Sequence, residues 1–231
     1  IPISATIGIS GGEPTLYKDD LFSFVKKCNQ LNPKVDFHIL TNGQHFEEAD
    51  ISNLEAVSDY VTWAIPIYSN NANQHDIIVG KEGAFQNLFR RLSFLALSSS
   101  NLEIRTVLMR TNFYELSLLA KFLSINIPWA RTWSIMQLEK KGYAQIDWES
   151  KFFDTSQDFS LISSAIDICQ AKDFNVSLYN FPLCTVPEKY QDITVPSISD
   201  WKKKFLSICN HCSKKELCGG VFEWYDATVG Y

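Results

Sequence analysis

Apolar, β-prone runs alternate with amphipathic helical patterns over much of this 231-residue chain. The runs predict strands at residues 3–9, 35–40, 60–68, 102–109 and 132–138. The intervening patterns predict helices at residues 19–31, 47–57, 83–97 and 112–125, with a polar loop at 69–76. Because each helix returns the chain to begin the next strand in the same direction, the alternation predicts an α/β fold with a mostly parallel sheet.

The alternation weakens beyond Glu139. Only a helix at residues 157–171 and a short strand at 175–179 are predicted there, and a proline-bearing, cysteine-rich segment follows. We therefore expect two parts, a core over residues 1–150 and a C-terminal extension over residues 151–231.

Composition narrows the range of partners. Hydrophobic residues make up 45% of the chain, which is enough for one substantial core. The formal net charge is −5 and no basic run is interleaved with aromatic residues, so a nucleic acid is not expected as a partner. No apolar stretch approaches the roughly 20 residues of a membrane span, and no secretory signal is visible. These features favour a cytoplasmic protein without a membrane partner.

The two ends of the sequence indicate a fragment. The chain begins on Ile1 rather than on methionine and enters a predicted strand almost at once. It ends at Tyr231 without a tail. We therefore expect the chain to be part of a longer polypeptide.

Short motifs follow the predicted strands, at the positions where parallel sheets hold their ligands. Residues 10–15 read Ser-Gly-Gly-Glu-Pro-Thr, and residues 41–43 read Thr-Asn-Gly. The two glycines let a ligand approach the backbone closely, and the Glu13 carboxylate can accept hydrogen bonds from an ammonium group. An amino-acid-like ligand would suit this motif. The alternative is a tight turn in which Pro14 sets the chain direction and Glu13 is merely solvated.

Arg105 interrupts an apolar strand, and the four histidines lack the spacing of metal ligands. A buried guanidinium needs a carboxylate partner or an anionic ligand. A structural ion pair with Glu139 or with a group near Glu103 is as good an explanation as a ligand. Packing or surface roles are predicted for His38 in a strand and for His45 and His75 in loops, and His211 is expected to point to solvent.

Four cysteines cluster late in the chain: Cys184, Cys209, Cys212 and Cys218. Four thiolates can enclose a zinc ion or an iron-sulfur cluster, and the Cys-x-x-Cys spacing at 209–212 favours metal over disulfide bonds. A disulfide pair or chance clustering is the alternative. Cys28 and Cys169 lie on apolar helix faces and are predicted to be core residues.

The combination of residues 10–15, residues 41–43 and an arginine on a later strand resembles the radical S-adenosylmethionine (radical SAM) superfamily. The resemblance implies a partial (βα)6 TIM-like barrel that lacks its first strand. It also implies that certain residues bind S-adenosylmethionine, with the methionyl part held by the Gly-Gly-Glu-Pro turn and the carboxylate by the arginine: Gly11, Gly12, Glu13, Pro14, Thr41, Asn42 and Arg105. It assigns no catalytic residue.

Further segments are similar to the His-Xaa-Ser system radical SAM maturase of the HxsC type. They lie at residues 74–80, 103–108, 138–144, 197–202 and 218–220. This finer resemblance implies a small partner peptide that carries His-Xaa-Ser repeats, a companion maturase and a reductant protein.

One departure from the superfamily concerns its Cys-x-x-x-Cys-x-x-Cys loop, which holds the [4Fe-4S] cluster that cleaves S-adenosylmethionine. The chain has no such motif, which would precede Ile1, so we expect this fragment alone to be inactive. The late cysteines resemble part of a SPASM or twitch auxiliary-cluster module, with iron-sulfur or zinc left open. Two alternatives are an inactive barrel whose zinc-bound tail binds a protein, and a hydrolase that uses Glu13 and Glu139.

Overall fold

The computed structural model describes residues 4–225. Nine strands lie within this range: β1 Ala5–Ile9, β2 Val35–Leu40, β3 Val61–Pro66, β4 Asn101–Val107, β5 Thr132–Met136, β6 Val176–Tyr179, β7 Thr194–Val195, β8 Lys203–Lys204 and β9 Val221–Phe222. The same range holds eight helices: α1 Lys18–Leu31, α2 Ile51–Glu55, α3 Ala72–Val79, α4 Ala84–Leu97, α5 Arg110–Phe113, α6 Leu116–Asn126, α7 Trp148–Lys151 and α8 Ser160–Gln170. None of these helices is long and apolar enough to cross a membrane.

Strands β1 to β7 follow one another in sequence order in a single sheet. Strands β1 to β4 pair in parallel, as do β5 to β7, whereas β8 and β9 form a separate antiparallel pair. The predicted α/β class with a parallel sheet is therefore confirmed. Strands β7, β8 and β9 have two residues each and are too short for a periodic pattern to predict.

Part of the prediction falls outside the described range. Ile3, the first residue of the strand predicted at 3–9, lies there, and so do the chain ends Ile1 and Tyr231. The described residues divide into two compact units, 4–105 with 127–132 and 106–126 with 133–225. The expected division at residue 150 stays a prediction.

The first unit buries the side of its sheet that faces the helices. Phe37 in β2 is buried, and Trp63 in β3 packs edge-on against Phe22 of α1 and against Phe46, with ring centroids 6.1 and 5.0 Å away. Because successive side chains of a strand point to opposite faces, His38 lies on the face turned away from these helices. That second face carries polar groups described below.

The second unit has its own helical core. Helices α6 and α8 pack against each other through buried side chains: Leu116, Leu119, Ala120, Leu123, Ile162, Ala165, Ile166 and Cys169. Burial raises the pKa of the Cys169 thiol to about 12, so this cysteine is an unreactive core residue, as predicted. Cys28 on α1, in the first unit, is only partly buried.

Helix α3 occupies part of the stretch predicted as a polar loop. The Asn71 side chain accepts a hydrogen bond from the Gln74 amide and so caps the helix, which ends at Gly80 with φ at 70°. Both signals, an Asn cap and a terminal glycine, are present in the sequence. The loop prediction was therefore also wrong for His75, which lies within α3 and is only 2% exposed.

Gly43 provides a test of packing beneath the loop that follows β2. It has φ at +70°, and an added Cβ would lie 2.8 Å from Leu88 Cδ1. Gly43→Ala should lower the free energy of unfolding by about 2–3 kcal/mol, combining strained backbone with overpacking. Gly80→Ala is the matched control, since Gly80 has the same φ but no atom within 4 Å of the added Cβ. Urea unfolding should show a loss of only about 1 kcal/mol for the control, and equal losses would contradict the packing argument.

Candidate functional site

The loop after β1 is fastened to the loop after β2 through Glu13. Its Oε1 accepts hydrogen bonds from Thr15 N at 3.0 Å, Thr15 Oγ1 at 2.6 Å and Thr41 Oγ1 at 2.5 Å. Its Oε2 accepts one from Asn42 N at 2.7 Å. Both threonines are buried, whereas Glu13 is partly exposed. The structure therefore brings together three residues that the resemblance assigns to cofactor binding, namely Glu13, Thr41 and Asn42.

These hydrogen bonds set the charge of Glu13. Burial by itself would raise the pKa of the carboxyl, but the bonds from Asn42, Thr15 and Thr41 outweigh it and lower the pKa below its ordinary value of 4.5. Glu13 is therefore ionised at neutral pH. Oε2 accepts a single bond within residues 4–225, so it retains capacity to accept another from an ammonium group. Glu13 is not the merely solvated side chain of the alternative interpretation.

Gly11 and Gly12 form an exposed turn before Glu13. Their φ angles are 94° and 53°, a conformation that residues with a Cβ rarely adopt. An added Cβ at either position would meet no atom within 4 Å, so the backbone faces open space here. Pro14 then begins a short 3-10 turn, Pro14–Tyr17. The predicted turn is confirmed, and its surface is accessible to a ligand.

Asn42 also lines a small cavity of about 130 Å³, together with Gln44, Pro66 and His75. The Nδ1 atom of His75 accepts a hydrogen bond from the Tyr68 amide at 3.3 Å, which fixes its other ring nitrogen as the protonated one. Burial lowers the pKa of His75 below 6.5, so the ring is neutral at neutral pH.

Glu103 links Arg105 and His38 on the face of the sheet turned away from the helices. Glu103 Oε1 lies 3.6 Å from Arg105 Nε, and Glu103 Oε2 lies 2.5 Å from His38 Nε2. The Glu103 side chain is only 7% exposed. Arg105 therefore forms an ion pair with Glu103, as in the structural alternative to a ligand. His38, predicted for packing or the surface, shares this carboxylate, and no sequence spacing indicates the pairing.

Glu139 follows β5 in the second unit and is itself ion-paired. Its Oε2 accepts a hydrogen bond from Lys202 Nζ at 2.8 Å, and its Oε1 lies 3.7 Å from Lys141 Nζ. This pair joins two of the segments on which the finer resemblance rests, 138–144 and 197–202. A carboxylate held between two lysines is suited to fastening these segments together.

The four late cysteines line one cavity of about 210 Å³ in the second unit. The amides of Leu183 and Gly220 each donate a hydrogen bond to Cys218 Sγ at 3.4 Å. Burial raises the pKa of the Cys184 thiol, and the neighbouring sulfurs of Cys218, Cys209 and Cys212 raise it further. The structure therefore places Cys184 at the same cavity as the other three late cysteines, and their role as metal ligands stays a prediction.

No group of three or more His, Cys, Asp or Glu side chains between residues 4 and 225 is arranged to hold a metal ion. A tetrahedral zinc site needs sulfur atoms about 2.3 Å from one point. Zinc at the four cysteines thus receives no support from the geometry.

Similarity searches against known proteins give matches at the level of structure alone. No family model matches the chain, and no curated protein sequence matches it. SuiB of Streptococcus suis, crystallised with S-adenosylmethionine, has a TM-score of 0.59 and 18% identity, over 75% of this chain and 39% of that one. The chain therefore spans less than half the length of SuiB.

Two further solved structures are similar to this chain. anSMEcpe, with bound AdoMet and the Kp18Cys peptide, has a TM-score of 0.58 and 14% identity, over 76% of this chain and 50% of that one. A domain of pyruvate-formate lyase-activating enzyme from Bacteroides vulgatus has a TM-score of 0.56 and 13% identity, over 74% of this chain and 97% of that one. The chain thus has the α/β fold of these proteins.

Proposed function

We propose that this chain is the cofactor- and substrate-binding part of a radical SAM enzyme that modifies a peptide. S-adenosylmethionine and a reduced iron-sulfur cluster would together supply the chemistry, a carbon-centred radical that removes a hydrogen atom from the substrate. The chain's own residues bind and orient. The observation that carries the proposal is the arrangement of Glu13 with Thr41 and Asn42 at the ends of neighbouring parallel strands.

The loop around Glu13 suits the methionyl part of S-adenosylmethionine. Gly11 and Gly12 expose backbone to a ligand, and the ionised Glu13 can accept a hydrogen bond from an ammonium group. Pro14 fixes the exit of this turn. SuiB and anSMEcpe, which share the fold, are both crystallised with this cofactor.

Arg105 suits the carboxylate of the same ligand. It lies in β4 of the first unit, opposite Pro66, the last residue of β3. It is thus level with the strand ends, the side of a parallel sheet where ligands collect. A guanidinium presents a fork of donors that matches a carboxylate.

The four late cysteines suit an auxiliary iron-sulfur cluster. Cys184, Cys209, Cys212 and Cys218 would hold it, because all four line one cavity and thiolates are the usual ligands of such clusters. Amides that donate to cysteine sulfur, as at Cys218, stabilise negative charge on such a cluster. The [4Fe-4S] cluster that cleaves the cofactor would be held by residues outside this chain.

The substrate is proposed by analogy. anSMEcpe is bound to a peptide in its crystal structure, which favours a peptide partner here. The finer proposal is a small peptide with His-Xaa-Ser repeats, modified in the cytoplasm with a companion maturase and a reductant protein. It rests on the segments at 74–80, 103–108, 138–144, 197–202 and 218–220.

The test is cofactor cleavage by the full-length gene product, reconstituted anaerobically with iron and sulfide. On addition of dithionite and S-adenosylmethionine, chromatography should show 5'-deoxyadenosine and methionine, and S-adenosylhomocysteine should give neither. A synthetic peptide with His-Xaa-Ser repeats should then change in mass. Cleavage of S-adenosylmethionine without a change in the mass of the peptide would overturn the proposed substrate but would still support the proposed enzyme class. A loaded protein that forms no 5'-deoxyadenosine would overturn the class and favour the protein-binding alternative.

A further inference from the structure

His38, Glu103 and Arg105 form a chain of charged and polar groups in the first unit. By the strand register His38 lies opposite Thr62, and Glu103 lies opposite Ala64. The His38–Glu103 hydrogen bond therefore passes over β3, above two small side chains that leave room for it. Arg105 is two residues further along β4, about 6.6 Å nearer to its carboxyl end.

We propose that Glu103, held in place by His38, is a positioning residue for Arg105. It would fix the guanidinium so that it receives the carboxylate of S-adenosylmethionine. The inference rests on the proposed function, in which Arg105 meets that carboxylate.

Geometry and burial support this role. The Glu103 side chain is 7% exposed, so its charge needs compensation within the protein. His38 forms a hydrogen bond with one carboxylate oxygen, and Arg105 Nε lies 3.6 Å from the other as an ion pair, so His38 fixes the carboxylate beside the guanidinium. Arginine has a long side chain with much rotational freedom, and a bound carboxylate is recognised best by a guanidinium that is already oriented. When Arg105 is already oriented, less of the binding free energy is lost in ordering its side chain.

If Glu103 acted on Arg105 only through its charge, removing that charge would have the opposite effect on the preference for a ligand with a carboxylate. Glu103 is negative and lies beside Arg105, so its charge opposes an incoming carboxylate. If Glu103 merely neutralised Arg105, Glu103→Gln would strengthen the preference for a ligand with a carboxylate. If Glu103 positions Arg105, the same change weakens that preference. The direction of the effect therefore separates the two roles.

The experiment compares two ligands in the full-length gene product, reconstituted anaerobically with iron and sulfide. Isothermal titration gives the dissociation constants of S-adenosylmethionine and of decarboxylated S-adenosylmethionine. The constant for the decarboxylated ligand divided by the constant for S-adenosylmethionine is a ratio that measures recognition of the carboxylate. Glu103→Gln should lower this ratio about tenfold, equivalent to about 1.4 kcal/mol. Arg105→Gln should lower it by at least as much. Asp36→Asn is the matched control, because Asp36 is an exposed carboxylate on the same face of β2 as His38, and it should leave the ratio unchanged.

Each outcome bears on one claim. An unchanged or higher ratio in Glu103→Gln, with a lower ratio in Arg105→Gln, overturns the positioning role and leaves the proposed function standing. An unchanged ratio in Arg105→Gln overturns the placement of the cofactor carboxylate itself. Thermal unfolding is measured in parallel, because general destabilisation would weaken both ligands equally and leave their ratio unchanged.

Discussion

Replacing Glu13 by alanine should raise the dissociation constant for S-adenosylmethionine at least a hundredfold and lower the free energy of unfolding by about 2–3 kcal/mol. The affinity falls because the variant loses the carboxylate proposed to accept a bond from the ligand's ammonium group. It also loses the bonds that join the loop after β1 to the loop after β2. The stability falls because Thr15 and Thr41 are buried, and their hydroxyl groups lose an acceptor.

The measurements are isothermal titration with the reconstituted full-length protein and urea unfolding of the present chain. Glu55→Ala is the control, because Glu55 is an exposed carboxylate on α2 in the same unit. It should change neither quantity appreciably. A Glu13→Ala variant that is destabilised but binds the ligand normally would reduce Glu13 to a structural role. Normal stability and normal affinity would contradict both parts of the interpretation.

The same carboxylate contributes to the dependence of stability on pH. Its pKa is lowered in the folded chain below the ordinary 4.5, so folding favours the ionised form. The contribution is complete above about pH 4.5 and is lost as the pH falls through the lower pKa of the folded state. Glu13→Gln should remove this component. Urea unfolding at pH 7 and pH 4 should therefore show a smaller loss on acidification in the variant than in the original chain.

Replacing Cys209 and Cys212 together by serine should abolish the binding of iron and acid-labile sulfide that we propose for the C-terminal cysteines. Both cysteines line the cavity shared with Cys184 and Cys218, and a cluster that loses two thiolate ligands is not retained. The measurement is iron, sulfide and zinc per chain after anaerobic purification. Because the SAM-cleaving cluster is expected outside this chain, the present 231-residue chain reports on the auxiliary site alone.

Cys28→Ser is the control for this experiment. Cys28 lies on α1 in the first unit and does not line the cavity, so iron and sulfide should stay as in the original chain. Zinc without sulfide in the original chain would overturn the iron-sulfur proposal and support a structural tail. If neither iron nor zinc is found, the four thiols have no role in metal binding.

The sheet could be predicted from the sequence because it depends on local patterns. Each strand of β1 to β6 is a run of apolar, β-prone residues bounded by turns, and such patterns need no knowledge of distant contacts. Helix α3 was within reach of the same reasoning, since Asn71 and Gly80 mark its ends. The short strands β7 to β9 could not be predicted in this way, because two residues carry no periodicity.

The sequence could predict which motifs meet at the candidate site. It could not predict which hydrogen bonds their side chains form. The motifs at 10–15 and 41–43 could be expected to meet, because consecutive parallel strands end at the same edge of a sheet. That Glu13 would bond to Thr41 rather than to solvent depends on side-chain distances that no spacing encodes. The pairing of His38 with Glu103 spans 65 residues and crosses an intervening strand, so it could only be seen in three dimensions.

The two bonds that Glu13 receives from the second loop differ in how much sequence variation they permit. Thr41 contributes its hydroxyl, so serine is the only other residue that could supply the same donor from a short side chain. Asn42 contributes its main-chain amide, which every residue except proline possesses. Substitution at position 41 should therefore be restricted, whereas the bond from position 42 would survive almost any change. A library randomised at both positions should reveal this asymmetry among the variants that still fold.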